Sequence, residues 1–84
     1  MARVIMMRLA VLRAARNLGL VPTTPPERRH QLVGDRDEQF AVDLVHPYRL
    51  VFVANHEPVP RKDDGGIDTK QVTAITILDV VDYH

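Results

Sequence analysis

The run Pro22-Thr23-Thr24-Pro25-Pro26 constrains this chain more than any other feature. Proline lacks a backbone donor and pushes the residue before it out of helical space, so a helix must end upstream and something else must begin downstream. Eighty-four residues leave room for one small domain, spanning 1–84, so the two sides of the break must pack on each other.

Upstream, Ala2 to Leu18 is rich in helix formers and free of Gly and Pro, and Asn17 with Gly19 supplies a C-terminal stop. At 100° per residue Val4, Met7, Val11 and Leu18 make one apolar stripe, and Ile5, Leu9 and Leu12 make a second on nearly the opposite side. One sheet cannot cover both. Either the helix is sandwiched between the sheet and another helix that the chain does not contain, or a partner, including a second copy of the chain, covers the second stripe.

Downstream the period changes to two. Arg29 to Val33 is a short strand candidate. Phe40, Val42 and Leu44 alternate with Gln39, Ala41 and Asp43, and Arg49, Val51 and Val53 alternate with Leu50, Phe52 and Ala54. The short turn at His46-Pro47 makes these two an antiparallel hairpin. Asn55 to Asp68, with Pro58, Pro60 and Gly65-Gly66, is expected to be a mobile excursion. The β-branched run from Lys70 to Val80, with Ile75 and Ile77 on one face, is expected to be a central strand. The fold class is therefore α+β, one N-terminal helix packed on an antiparallel sheet of about four strands.

The neutral total charge hides an asymmetry. Residues 1–31 hold six arginines against Glu27 alone, a net +5, and the remainder holds five cations against ten carboxylates, a net −5. Such a chain can turn a basic face to a phosphate backbone. Other chemistry is excluded more firmly: with neither serine nor cysteine there is no serine or cysteine nucleophile, no disulfide and no thiolate metal site. His30, His46, His56 and His84 show no ligand spacing, so no metal is expected, and no glycine-rich phosphate loop occurs. No apolar run is long enough to span a membrane. The arginines at 3, 8, 13 and 16 make the first segment structure rather than a targeting signal, and a cytoplasmic location fits.

Acid-base and charge-stabilising chemistry by His, Tyr and Arg remains. His30 begins one strand, Arg49 begins another and Tyr83-His84 follows the last, and strand ends can converge on one cleft. Cleavage of RNA by its own 2′-hydroxyl needs such a set: a base of near-neutral pKa, an acid for the departing 5′ oxygen and a cation for the crowded phosphate.

The block His30-Gln31-Leu32-Val33-Gly34-Asp35-Arg36, then Gln39 to Leu44, His46-Pro47-Tyr48-Arg49-Leu50 and the ending Val81-Asp82-Tyr83-His84 resemble the HigB-type plasmid-maintenance killer proteins, RelE-like toxins of bacterial toxin-antitoxin systems. The resemblance spans roughly residues 28 to 84. It implies a compact α+β fold, shortened here at the N-terminus, and ribosome-dependent endonucleolytic cleavage of mRNA without a cofactor. It further implies restraint by a helix-turn-helix antitoxin of HigA type. His30, Arg49, Tyr83 and His84 would form the active site: Arg49 holding the scissile phosphate, the two histidines sharing proton transfer, and Tyr83 orienting the reacting groups. Arg29 and Arg36 would bind substrate.

Three departures qualify the resemblance. Val33 stands where the family often has lysine, Thr69 where it commonly has tryptophan, and the strand and helix that usually precede the position of Met1 are missing. The expectation is therefore a toxin endonuclease, with the alternative of a catalytically weakened homologue that acts mainly by binding the antitoxin.

Overall fold

The computed structural model describes residues 1–34 and 38–82. One N-terminal helix packs on a four-stranded antiparallel sheet, the expected α+β arrangement.

Helix α1 covers Ala2–Ala14. It ends at Ala15, whose backbone is extended at φ −70°, ψ 130° and whose N–H closes the last turn on the Val11 carbonyl. This is earlier than the expected end at Leu18. Leu18–Leu20 instead form a separate 3-10 turn, because the Leu18 N–H bonds the Val72 carbonyl at 2.9 Å and its side chain is drawn into the core. Gly19 sits where this turn meets Thr69–Gln71, a second 3-10 turn. A Cβ on Gly19 would come within 3.1 Å of Asn17 Oδ1 and 3.3 Å of Thr69 Oγ1.

The two apolar stripes are not opposite sides of the helix. Val4 and Val11 from one and Ile5 and Leu12 from the other pack on the same core, with Arg8, 7% exposed, between them. Met7 and Leu9 from the expected stripes are exposed, as is Met6. The arginine had split one broad face in two. Its aliphatic stem covers apolar surface while Nε donates to the Asp43 carbonyl at 2.6 Å.

The sheet runs in chain order: β1 (His30–Gln31), β2 (Gln39–Asp43), β3 (Tyr48–Ala54) and β4 (Ile75–Asp82), each antiparallel to the one before. The β2–β3 register pairs Phe40 with Phe52, Val42 with Leu50 and Asp43 with Arg49. The two phenylalanine rings stack at 5.9 Å between centroids and, with Val42, Leu50, Leu18, Val21 and Val72, form the core beneath α1. Ala41 and Val51 point to the other face, where Leu32 and Val81 cover them. Both faces of the middle strands are therefore dry at their centres, through Phe40, Ala41 and Val42 and through Leu50, Val51 and Phe52.

The last strand is not central. β4 begins at Ile75, Lys70 lies in the second 3-10 turn, and β4 occupies the outer edge next to β3 alone. A meander places its last strand at the edge, and β-branched content reports that a segment suits a pleated surface without saying how many neighbours it has. The segment before it is also tied down. Ile67 is buried, Arg61 bridges Ile67, the Asp68 N–H bonds the Pro60 carbonyl at 2.9 Å, and His56 Nε2 accepts from the N–H groups of Thr73 and Ala74 at 3.0 and 3.3 Å. No helix among the described residues is long and apolar enough to cross a membrane.

Candidate functional site

Directly opposed residues of an antiparallel pair share a face. His30 opposes Ala41, Ala41 opposes Val51 and Val51 opposes Asp79, so these four form one row on the face away from α1. Asp43, Arg49 and Val81 form a row two residues further along the same face. Strand spacing alone puts the Cα atoms of His30 and Arg49 roughly 12 Å apart, a span that one long side chain and one nucleotide can bridge.

The proline segment delivers the remaining groups. Its turn is closed by the Arg28 N–H on the Thr24 carbonyl at 3.0 Å and the Arg29 N–H on the Pro22 carbonyl at 2.9 Å, and the Asp43 N–H fastens it to β2 through the Glu27 carbonyl at 2.7 Å. These bonds hold Arg28 at φ 48°, a left-handed conformation costly for a residue with a side chain. His30 Nδ1 lies 2.8 Å from the Arg28 carbonyl. A carbonyl can only accept, so Nδ1 carries the hydrogen and Nε2 is the nitrogen able to take a proton.

Asp43 gathers the charges. Arg28 Nε lies 3.5 Å from one of its carboxylate oxygens and Arg49 Nε 3.4 Å from the other, while Arg8 holds its carbonyl from the helix side. Arg28, Asp43 and Arg49 line a cleft of about 140 Å³ with Leu44, the His46-Pro47 turn and Tyr48. Two guanidinium groups around one carboxylate leave a net positive cleft. An arriving phosphate would compete with Asp43 for both heads, because guanidinium binds either oxyanion through charge-assisted hydrogen bonds.

Of the residues expected from sequence, the structure brings His30 and Arg49 to one face. Arg29 is half-buried with Nε donating to the Val21 carbonyl at 3.0 Å, and burial lowers its pKa; it serves as a tie for the proline segment. Arg36, Tyr83 and His84 lie outside the described residues. The sequence reading missed Arg28 and Asp43. A two-residue turn at His46-Pro47 would set residue 43 opposite residue 50, whereas the loop from Val45 to Pro47, closed by the Leu44 N–H on the Tyr48 carbonyl at 3.0 Å, sets Asp43 opposite Arg49. Arg28 gave no signal, because the loop geometry that aims it is tertiary. Val33 is 85% exposed. Among the described residues no three His, Asp or Glu side chains are placed to hold a metal ion.

The arrangement defines a small α+β protein with a cationic cleft at one end of an antiparallel sheet. No protein-family model matches the chain, and neither a curated protein nor a solved structure is significantly similar to it.

Proposed function

We propose that the chain is an endoribonuclease toxin of HigB type, cleaving mRNA on the ribosome in the cytoplasm and restrained by a helix-turn-helix antitoxin. The observation that carries this reading is the shared sheet face of His30 and Arg49, with Arg28 joining Arg49 at Asp43. In the reaction the 2′-oxygen attacks phosphorus and the P–O5′ bond breaks, leaving a 2′,3′-cyclic phosphate and a 5′-hydroxyl. His30 Nε2 is suited to share the proton transfers with His84. Arg49 and Arg28 stabilise the charge gathering on the non-bridging oxygens, usually the largest single contribution to such a barrier. The resemblance assigns orientation of the reacting groups to Tyr83.

The test is induction of the chain in cells with and without the neighbouring antitoxin, with mRNA 5′ ends mapped. Growth arrest with new 5′ ends inside translated codons is expected, and Arg49→Ala should lower cleavage by about 10²-fold or more. If wild-type and Arg49→Ala chains are equally harmless while both stay soluble, the endonuclease reading fails and the weakened homologue that only binds antitoxin takes its place.

A further inference from the structure

Three histidines lie among the described residues, and one of them lines the cationic cleft. His56 accepts at Nε2 from the Thr73 and Ala74 N–H groups, in the chain that leads into β4. His30 shares the sheet face of Arg49 but stands a row away, with Nδ1 donating to the Arg28 carbonyl, and does not line the cleft. His46 is part of the cleft wall, beside Arg28, Asp43, Tyr48 and Arg49. In the sequence it reads only as half of a turn. Local structure fixes where its imidazole sits. The loop from Val45 to Pro47 is closed twice, by the Leu44 N–H on the Tyr48 carbonyl at 3.0 Å and by the Tyr48 N–H on the Val45 carbonyl at 2.8 Å, and Leu44 and Leu50 anchor its two arms in the core. The proline after His46 restricts the His46 backbone to extended conformations.

His46 is exposed, and among the described residues no hydrogen bond engages either of its ring nitrogens, so both are open to a substrate. The charged and titratable residues that line the cleft with it are Arg28, Asp43, Tyr48 and Arg49. Two guanidinium groups against one carboxylate make this a poor place for a further positive charge until a phosphodiester has entered and neutralised the excess. That order suits a base, which begins neutral and ends charged. We infer that His46 is the general base of the cleft, which rests on the endoribonuclease reading. It takes the proton of the 2′-hydroxyl as the 2′-oxygen bonds to phosphorus and the P–O5′ bond breaks, and the departing O5′ receives its proton from His30 or His84 in the protonated form.

The experiment is single-turnover cleavage of a short mRNA on purified ribosomes, followed against pH for the full chain and for His46→Gln and His30→Gln. Affinity for the same message with a 2′-deoxy nucleotide at the cleavage site is measured alongside. His46→Gln should lower the rate by about 10²-fold or more and leave that affinity unchanged. It should also remove the fall in rate that the wild-type chain shows on acidification through the histidine range, a fall that His30→Gln should keep. Equal loss of rate and affinity in His46→Gln would make His46 a binding contact and overturn the inference. A wild-type rate in His46→Gln, or an acid fall kept by His46→Gln and lost in His30→Gln, would overturn it while leaving the endoribonuclease reading intact. If the wild-type chain leaves the message uncut, that reading fails and the role of His46 falls with it.

Discussion

The two edges of this sheet are finished in opposite ways. At the β1 edge the strand is only two residues long, and the chain around it is fastened by polar ties: Arg29 to the Val21 carbonyl, His30 to the Arg28 carbonyl, and Asp43 to the Glu27 carbonyl. At the β4 edge the strand is eight residues long, bulged at Leu78, with the Asp79 carboxylate accepting from the Val80 N–H at 2.8 Å and Ile77, Leu78 and Val80 exposed. Polar ties fix angles and distances. The core between Phe40 and Phe52 is what the two edges share.

That division predicts how the molecule breaks. Phe52→Ala removes one of the stacked rings from the fully buried centre and should cost about 3–5 kcal/mol, a large share of the stability of a domain of this size. Both edges should lose structure in one transition, measured by urea unfolding monitored at each edge; two separate transitions would show that the edges do not depend on a common core.

Arg8→Met keeps an apolar stem in the helix face while removing the donor to the Asp43 carbonyl, and should cost about 1.5–3 kcal/mol. Its effect should fall on one side. Hydrogen exchange should quicken near Asp43 and Arg49 and stay unchanged in the outer half of β4, whereas uniform quickening would mean that Arg8 supports the whole layer.

Val33→Lys adds a cation at an exposed position beside β1. Stability should change by no more than about 0.5 kcal/mol, as for ordinary surface substitutions. Under the proposed function RNA cleavage should rise, read as the rate of appearance of new 5′ ends. An unchanged rate would place residue 33 outside the cleft.

The smallest effect concerns Glu38, which grips Arg61 through two hydrogen bonds at 2.7 and 2.8 Å. That grip, chiefly the hydrogen bonding, lowers the Glu38 pKa. A carboxylate whose folded pKa lies below its unfolded one contributes stability above the ordinary glutamate range and loses it as pH falls through the folded value. Because the pair is exposed, Glu38→Gln should shift the acid limb of the unfolding curve only slightly, and less at high salt.

Much of this architecture was legible in sequence because it is set by local sterics and by period. The prolines at 22, 25 and 26 end the helical segment before them, and the alternation through Gln39–Asp43 and Tyr48–Ala54 with a turn between makes an antiparallel hairpin. Which residue of β3 faces Asp43 was set by the three-residue loop from Val45 to Pro47, and that loop made it Arg49. What only the tertiary structure decided were matters of neighbourhood. Arg8 reads as a polar interruption of α1 until the Asp43 carbonyl is there to accept from it, and Leu18 leaves the helix because Val72 offers a partner elsewhere. Arg28 becomes part of the cleft through a backbone conformation that two hydrogen bonds within the proline segment and one from Asp43 maintain. The β-branched run at Ile75–Asp82 specifies a strand, but a strand's position in a sheet depends on what pairs with its other side, and no property of its own residues encodes that.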